Sequence, residues 1–222
     1  MNEVRNKFVV KKSSRDFVIG VVIVCGLAIG GLVGYQQIFT KGLDRLPDEV
    51  CDGAVDREVA AQVLPDARSA SEDGSVTGTG ENLFFGCRVD TTGHSLVSGE
   101  VKVQAVSAKS WSNFYEGYGG AEEGKALQVG VGEVRALSKT RIASIYAPCA
   151  PRGVKASTAR QPYALIAEVR VLGESRVKGA ALRQDLTNFA YQLTQHAYKV
   201  GECQDALTFP KEIPSYPSGA KG

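Results

Sequence analysis

The sequence predicts an α+β protein: a mainly antiparallel sheet with packed helices, preceded by one N-terminal transmembrane helix. Three observations predict it. Residues 17–35, FVIGVVIVCGLAIGGLVGY, run for 19 residues without a charge, and at about 1.5 Å of rise per residue such a helix spans roughly the 30 Å hydrocarbon layer. Between residues 83 and 172, β-branched and alternating stretches are separated by Gly, Pro and Thr-Gly punctuation, the pattern of strands joined by short turns. Residues 176–203 then carry leucines and Phe189 at helical spacing. With 222 residues, 43% hydrophobic and 8% aromatic, the chain holds one cored domain besides the apolar run.

The N-terminal elements come first. A cleaved secretory signal would show a small-residue cleavage site after its apolar core, and none follows Gly34. A lipid-modified Cys25 would need a small residue where Val24 stands. Arg5, Lys7, Lys11, Lys12 and Arg15 precede the run, while only Lys41 and Arg45 follow closely. The positive-inside rule then places the arm 1–16 in the cytoplasm, the anchor 17–35 in the lipid bilayer of the cell membrane, and residues 36–222 outside as a single-pass ectodomain. The 26 basic and 24 acidic side chains divide into five and two before residue 17, and 21 and 22 after it. The ectodomain is thus near neutral, without a basic stripe to neutralise phosphates, which argues against nucleic acid as a partner.

That placement bears on the cysteines. Cys25 is an apolar filler of the anchor, and Cys51, Cys87, Cys149 and Cys203 remain in an oxidising compartment, an even number that favours two disulfides. Of three connectivities, Cys51 with Cys87 and Cys149 with Cys203 are expected, since each pair then ties a helix end to a strand. Zinc spacings and C-x-x-C are both missing, so no metal and no cofactor is expected.

Residues 36–47 read as a stalk ending at Pro47, 48–209 as the extracytoplasmic domain, and 210–222 as a flexible Pro-rich tail. Within the domain, CDGAVDREVAAQVLP reads as a helix capped by Asp52, with Val55, Val59 and Val63 every fourth residue and Pro65 as the stop. Residues 66–82, rich in Gly, Ser, Thr and Asp, read as an exposed loop. LFFGCRVDT and SLVSGEVKVQAVS make a hairpin with Val101, Val103 and Ala105 on one face. SWSNFYEGYGG places Trp111, Phe114, Tyr115 and Tyr118 at helical spacing behind Ser110 as a cap. ALQVGVGEVRALS, RIASIYAPC and YALIAEVRVLG read as three strands. The last helix carries Leu182, Leu186, Phe189, Leu193 and Val200 as its stripe, with Gly201 just past its end.

The basic arm, the single anchor, LPDEVCDGAVDRE, FFGCRV, YAPC and LTNFAYQLTQHAYKVGEC together resemble the membrane-anchored extracytoplasmic proteins of unknown function common in actinobacteria such as streptomycetes. More distantly, the cysteine-helix-LP opening and the later F-x-C-x-V are similar to DUF3558-like lipoproteins, with Val89 where those have Trp. The resemblance implies location and fold class, and no activity.

Candidate chemistry is sparse. GHSLVSG nearly spells the G-x-S-x-G elbow around Ser95, but Val97 replaces its last Gly and the segment sits in a hairpin turn. GTGENL and GVGEVR break G-x-G-x-x-G at the last position. Glu122 and Glu123 adjoin the aromatic helix, but EEGK reads as a solvated turn. His196 sits in the last turn of the final helix, a structural place. The reading favoured is a tethered, disulfide-framed binding or structural module, not an enzyme, that meets an extracytoplasmic protein or cell-envelope component; Trp111, Phe114, Tyr115 and Tyr118 are its candidate binding residues. The alternative is an extracytoplasmic hydrolase whose site is assembled from distant residues, using Ser95, His94 or His196.

Overall fold

The computed structural model describes residues 17–31, 34–35, 40–119, 123–152, 162–204 and 207–217. Residues 17–31 form helix α1, with its side chains exposed. Among the described residues no helix is long and apolar enough to cross a membrane, so the expected transmembrane helix is not recovered as one span. The run 17–31 covers roughly 22 Å at about 1.5 Å per residue, short of the hydrocarbon thickness. Residues 32–33 and 36–39, like the basic arm 1–16, lie outside the described residues.

The domain is α+β, as its sequence predicts. Its centre is a seven-stranded sheet built from β3 (Ala70–Thr77), β4 (Phe84–Thr91), β5 (Leu96–Ala105), β6 (Leu127–Val131), β7 (Val134–Ser138), β8 (Ile142–Pro148) and β9 (Tyr163–Leu172). The order is β3-β4-β5-β9-β8-β7-β6, and every pairing is antiparallel. Side chains alternate across such a sheet, so register decides the faces. Phe85, Val101, Ala167, Ile145 and Ala136 stand in one row across five strands, all fully buried. Helix α4 (Gly179–Val200) covers this face with Leu186, Phe189 and Leu193. The shorter α3 (Ala108–Gly117) lies on the opposite face, where Trp111 and Tyr115 meet Leu137, Tyr146, Ala164 and Ile166. The helix covers only the β7–β8–β9 side and leaves the rest of that face open.

Both expected disulfides are present, Cys51–Cys87 and Cys149–Cys203, each with its Cα atoms 5.1 Å apart. The first reshapes the segment read as one helix. Residues 49–56 form a small hairpin, β1 (Glu49–Val50) with β2 (Val55–Asp56), and only Arg57–Val63 is helical, α2. Cys51, Asp52 and Gly53 all have left-handed φ, between 57° and 77°, which no right-handed helix accommodates. The bridge to Cys87 and the Glu72 carboxylate accepting the Cys51 N–H at 2.6 Å hold the turn there. Residues 70–77, read as part of a loop, form the edge strand β3. Its Glu72 and Asp73 are the kind of charges that discourage edge-to-edge association. Gly74 in this strand lets the Cys51 turn lie on it, since a Cβ would sit 2.5 Å from the Cys51 carbonyl carbon.

The domain is longer than expected at both ends. Leu43 and Leu46, assigned to the stalk, are buried in the core, and Gly42 N–H donates to the Ala67 carbonyl. The expected flexible tail is extended but anchored over residues 210–217. Ile213 and Tyr216 are buried, Tyr191 donates to the Pro210 carbonyl at 2.7 Å, and Tyr216 N–H donates to Gln184 Oε1 at 3.2 Å. Its apolar side chains, spaced between prolines, supply the contacts that a Pro-rich composition hides. The stretch read as one strand at 126–138 is the hairpin β6–β7, so four strands follow α3 instead of three. Val200 is exposed and leaves the helical stripe, whose last buried residue is Ala197. Gly201 ends α4 through a close approach, since a Cβ there would meet Leu83 Cδ2 at 2.7 Å, and Glu202 takes the left-handed φ of 47°.

Candidate functional site

The aromatic segment folds as α3 because Ser107, not Ser110, caps it: Ser107 Oγ accepts the Ser110 N–H at 3.2 Å. Trp111, Phe114, Tyr115 and Tyr118 then follow at i, i+3, i+4 and i+7, along one side of the helix and into its C-cap. The sheet divides them. Trp111 and Tyr115 are 2% and 7% exposed, while Phe114 is 58% exposed. Trp111 Nε1 donates to Ser144 Oγ at 2.9 Å, and Ser144 donates onward to the Ala167 carbonyl at 2.8 Å. Tyr115 donates to Glu168 Oε2 at 2.9 Å. Arg170 pairs with the other oxygen of Glu168 and donates to the Tyr118 hydroxyl at 2.7 Å. The buried Lys139 donates to the Tyr118 carbonyl at the end of α3, where the helix dipole favours a cation.

This arrangement leaves a cleft of about 410 Å³ between α3 and the open half of the sheet, within the ~300–1,000 Å³ usual for small-molecule sites. One wall is Phe114 and Tyr118, stacked with ring centroids 5.2 Å apart. The other is the outward row of β5, Glu100, Lys102 and Gln104. Lys102 bonds Glu100 at 2.7 Å and sits 5.5 Å from the Phe84 ring centroid. In register, Glu100 faces Glu168 across the β5–β9 pair.

Burial, then the Glu168 carboxylate, pushes the Tyr115 hydroxyl well above its ordinary range. Burial also pushes Tyr216 up to about 12. Hydrogen bonding to Glu168 raises Arg170 further, so this guanidinium stays charged. Both tyrosines hold their protons in the folded state at pH values where an unfolded tyrosine, near 10, has lost its own. Their contribution to stability is therefore complete below about pH 10 and is lost as pH climbs through the folded values. Absorbance titration of the phenolate band should show a fraction of tyrosine ionising only with alkaline unfolding, and stability should fall with pH above 10. Ionisation of every tyrosine near pH 10 in the folded protein would contradict this assignment.

The residues of the alternative reading do not come together. Ser95 Oγ accepts the Glu174 N–H at 2.9 Å in a buried turn, and His94 beside it has a left-handed φ of 60°. His196 lies against Phe85, ring centroids 5.1 Å apart. Phe85 pairs with Val101, five residues along β5 from the Leu96 end, a separation of about 17 Å at ~3.4 Å per residue. Glu122 lies outside the described residues, and Glu123 accepts the Arg141 N–H at 3.0 Å in a turn. Among the described residues no group of three or more His, Cys, Asp or Glu is placed to hold a metal ion.

Of the four aromatics expected from the sequence, Trp111 and Tyr115 are buried in the core while Phe114 and Tyr118 form a wall of the cleft, and Glu100, Lys102, Gln104, Glu168 and Arg170 were not among the expected residues. Their signal was the period-two polar positions of β5 and β9, which becomes a site only once those strands are paired in register. Comparison with family models, with curated proteins and with solved structures finds no match for this chain.

Proposed function

We propose that this chain is a membrane-tethered extracytoplasmic binding module without catalytic activity, anchored through residues 17–35 with its N-terminus in the cytoplasm. The observation that carries the binding role is the cleft between α3 and β5, where Phe114 stands exposed on a base of aromatics fixed from below, opposite a row of polar side chains. The two disulfides support an oxidising compartment, and the uncharged 19-residue run with basic residues before it supports the tether. The same placement agrees with the resemblance to actinobacterial anchored proteins. The partner is a component of the extracytoplasmic space that enters the cleft.

Topology is tested by labelling intact cells with a membrane-impermeant maleimide and mapping the modified peptides. Cys51, Cys87, Cys149 and Cys203 should label only after reduction. Labelling without reductant would remove the disulfide frame. Because Cys51, Cys87 and Cys149 are buried, placement is decided by external protease on intact cells, which should degrade the domain; a domain that survives there and is degraded only after lysis would remove the extracytoplasmic placement.

A further inference from the structure

We infer that the cleft between α3 and the outward faces of β5 and β9 takes an uncharged oligosaccharide segment, stacked by the flat C–H face of one sugar ring on Phe114. This rests on the reading of the cleft as the ligand site and adds the chemical class of the ligand.

Charge is the first argument. Among the described residues the charged side chains that line the cleft are Glu100, Lys102 and Glu168, and each is paired, Glu100 with Lys102 and Glu168 with Arg170. Both oxygens of Glu168 are already engaged, by Tyr115 and Arg170, and its side chain is only 11% exposed. For a cationic ligand Glu168 has no oxygen left and the charge of Glu100 is already offset by Lys102, and an anionic one would be desolvated beside two carboxylates. A neutral ligand disturbs neither pair.

Aromatic geometry is the second. Phe114 meets Tyr115 edge-on, centroids 5.0 Å apart at 86°, and stacks on Tyr118 at 28°. The ring is held by its neighbours yet largely exposed, so a ligand meets a fixed apolar platform and little side-chain freedom is lost on binding. Apolar ring faces with hydroxyls around the edge, as in pyranose sugars, match such a platform below and polar side chains beside it.

Glu100, Lys102 and Gln104 alternate on one face of β5, offering acceptors and donors side by side. Hydroxyl and amide groups of a sugar both donate and accept, whereas a wholly apolar ligand would desolvate Gln104 and the remaining donors and acceptors of the Glu100–Lys102 pair without replacing their water. A peptide adding as a strand is disfavoured, because β5 is an interior strand with β4 and β9 on its two sides and has no free backbone edge.

The test uses the full chain in phospholipid nanodiscs, free of sugar-headed detergent, titrated calorimetrically with hexasaccharides of differing charge. Cellohexaose or N-acetylchitohexaose should bind, and the cationic glucosamine hexamer and anionic hexagalacturonate should bind about tenfold more weakly or worse. Phe114→Ala should weaken the neutral hexamer by about tenfold or more with an unchanged thermal midpoint, and Phe114→Trp should retain it. No binding of either neutral hexamer at millimolar concentration overturns the inference, as does equal binding by Phe114→Ala or a preference for a charged hexamer. A parallel experiment replaces Phe114 by its p-benzoyl derivative and photolyses intact cells. Crosslinking to a protein without hexasaccharide binding overturns the ligand class and leaves the cleft as a site; failure of both removes the cleft itself.

Discussion

Replacing Cys149 and Cys203 together with alanine is expected to cost about 4 kcal/mol of stability and to lower the thermal midpoint by roughly 8–16 °C. The bridge closes a loop with a sequence separation of 54 that contains β9 and α4. These are the strand at the centre of the sheet and the helix that covers its core face, so the loop freed in the unfolded chain is the one that must be reclosed to build the core. Cys149 is fully buried at the end of β8, and Cys203 follows α4. Near the bridge Gln204 N–H donates to the Ala150 carbonyl at 2.9 Å, Gln204 Nε2 donates to the Pro151 carbonyl at 2.7 Å, Cys149 N–H donates to the Tyr163 carbonyl at 3.1 Å, and Arg152 and Glu202 form an exposed pair. Exposed ion pairs contribute about 0–1 kcal/mol, too little to take over the role. Removing the Cys51–Cys87 bridge, with a separation of 36, should cost nearly as much, because loop-closure entropy grows only logarithmically. Removing both should approach the whole stability of a domain, about 5–15 kcal/mol. Urea unfolding of the three variants checks this; a loss below about 1 kcal/mol for either bridge would show that its loop stays closed in the unfolded ensemble.

Legibility in the sequence followed the range of the forces. The final helix was legible because Leu182, Leu186, Phe189 and Leu193 satisfy a local period and all are buried on one side. The hairpin β1–β2 was not, because Val55, Val59 and Val63 continue the same period across a segment whose first part is set by distant partners, Cys87 and Glu72. Strand β3 has no apolar alternation, since both its faces are largely wet. What makes it a strand is the neighbouring β4 and the fit of Gly74 under the Cys51 turn. The cleft fell between these cases. Spacing put four aromatics on one helix, but which of them would lie against the sheet depends on a face of β7, β8 and β9 that no local pattern names.

That division within α3 gives the second large effect. Trp111→Ala is expected to cost about 3–5 kcal/mol, whereas Phe114→Ala, on the same aromatic stripe but exposed, should leave the thermal midpoint nearly unmoved. Trp111 fills the space above Leu137, Tyr146, Ala164 and Ile166, and no neighbour is free to occupy it, since Tyr115 is fixed to Glu168 and Tyr118 to Arg170. Trp111→Phe keeps most of the volume and loses the bond to Ser144, whose own hydrogen still goes to the Ala167 carbonyl. Its cost should be nearer 1–2 kcal/mol. The location of the damage is as diagnostic as its size. A helix as short as α3 is marginal without tertiary contacts, and its docking rests on Trp111 and Tyr115. Hydrogen exchange in Trp111→Ala should therefore speed first in α3, while α4, buried against the other face of the sheet, keeps its protection. Ligand binding should fall with the helix, because one wall of the cleft goes with it. If α4 instead opened together with α3, the two faces of the sheet would form a single cooperative unit, and the cleft could not be loosened without unfolding the domain.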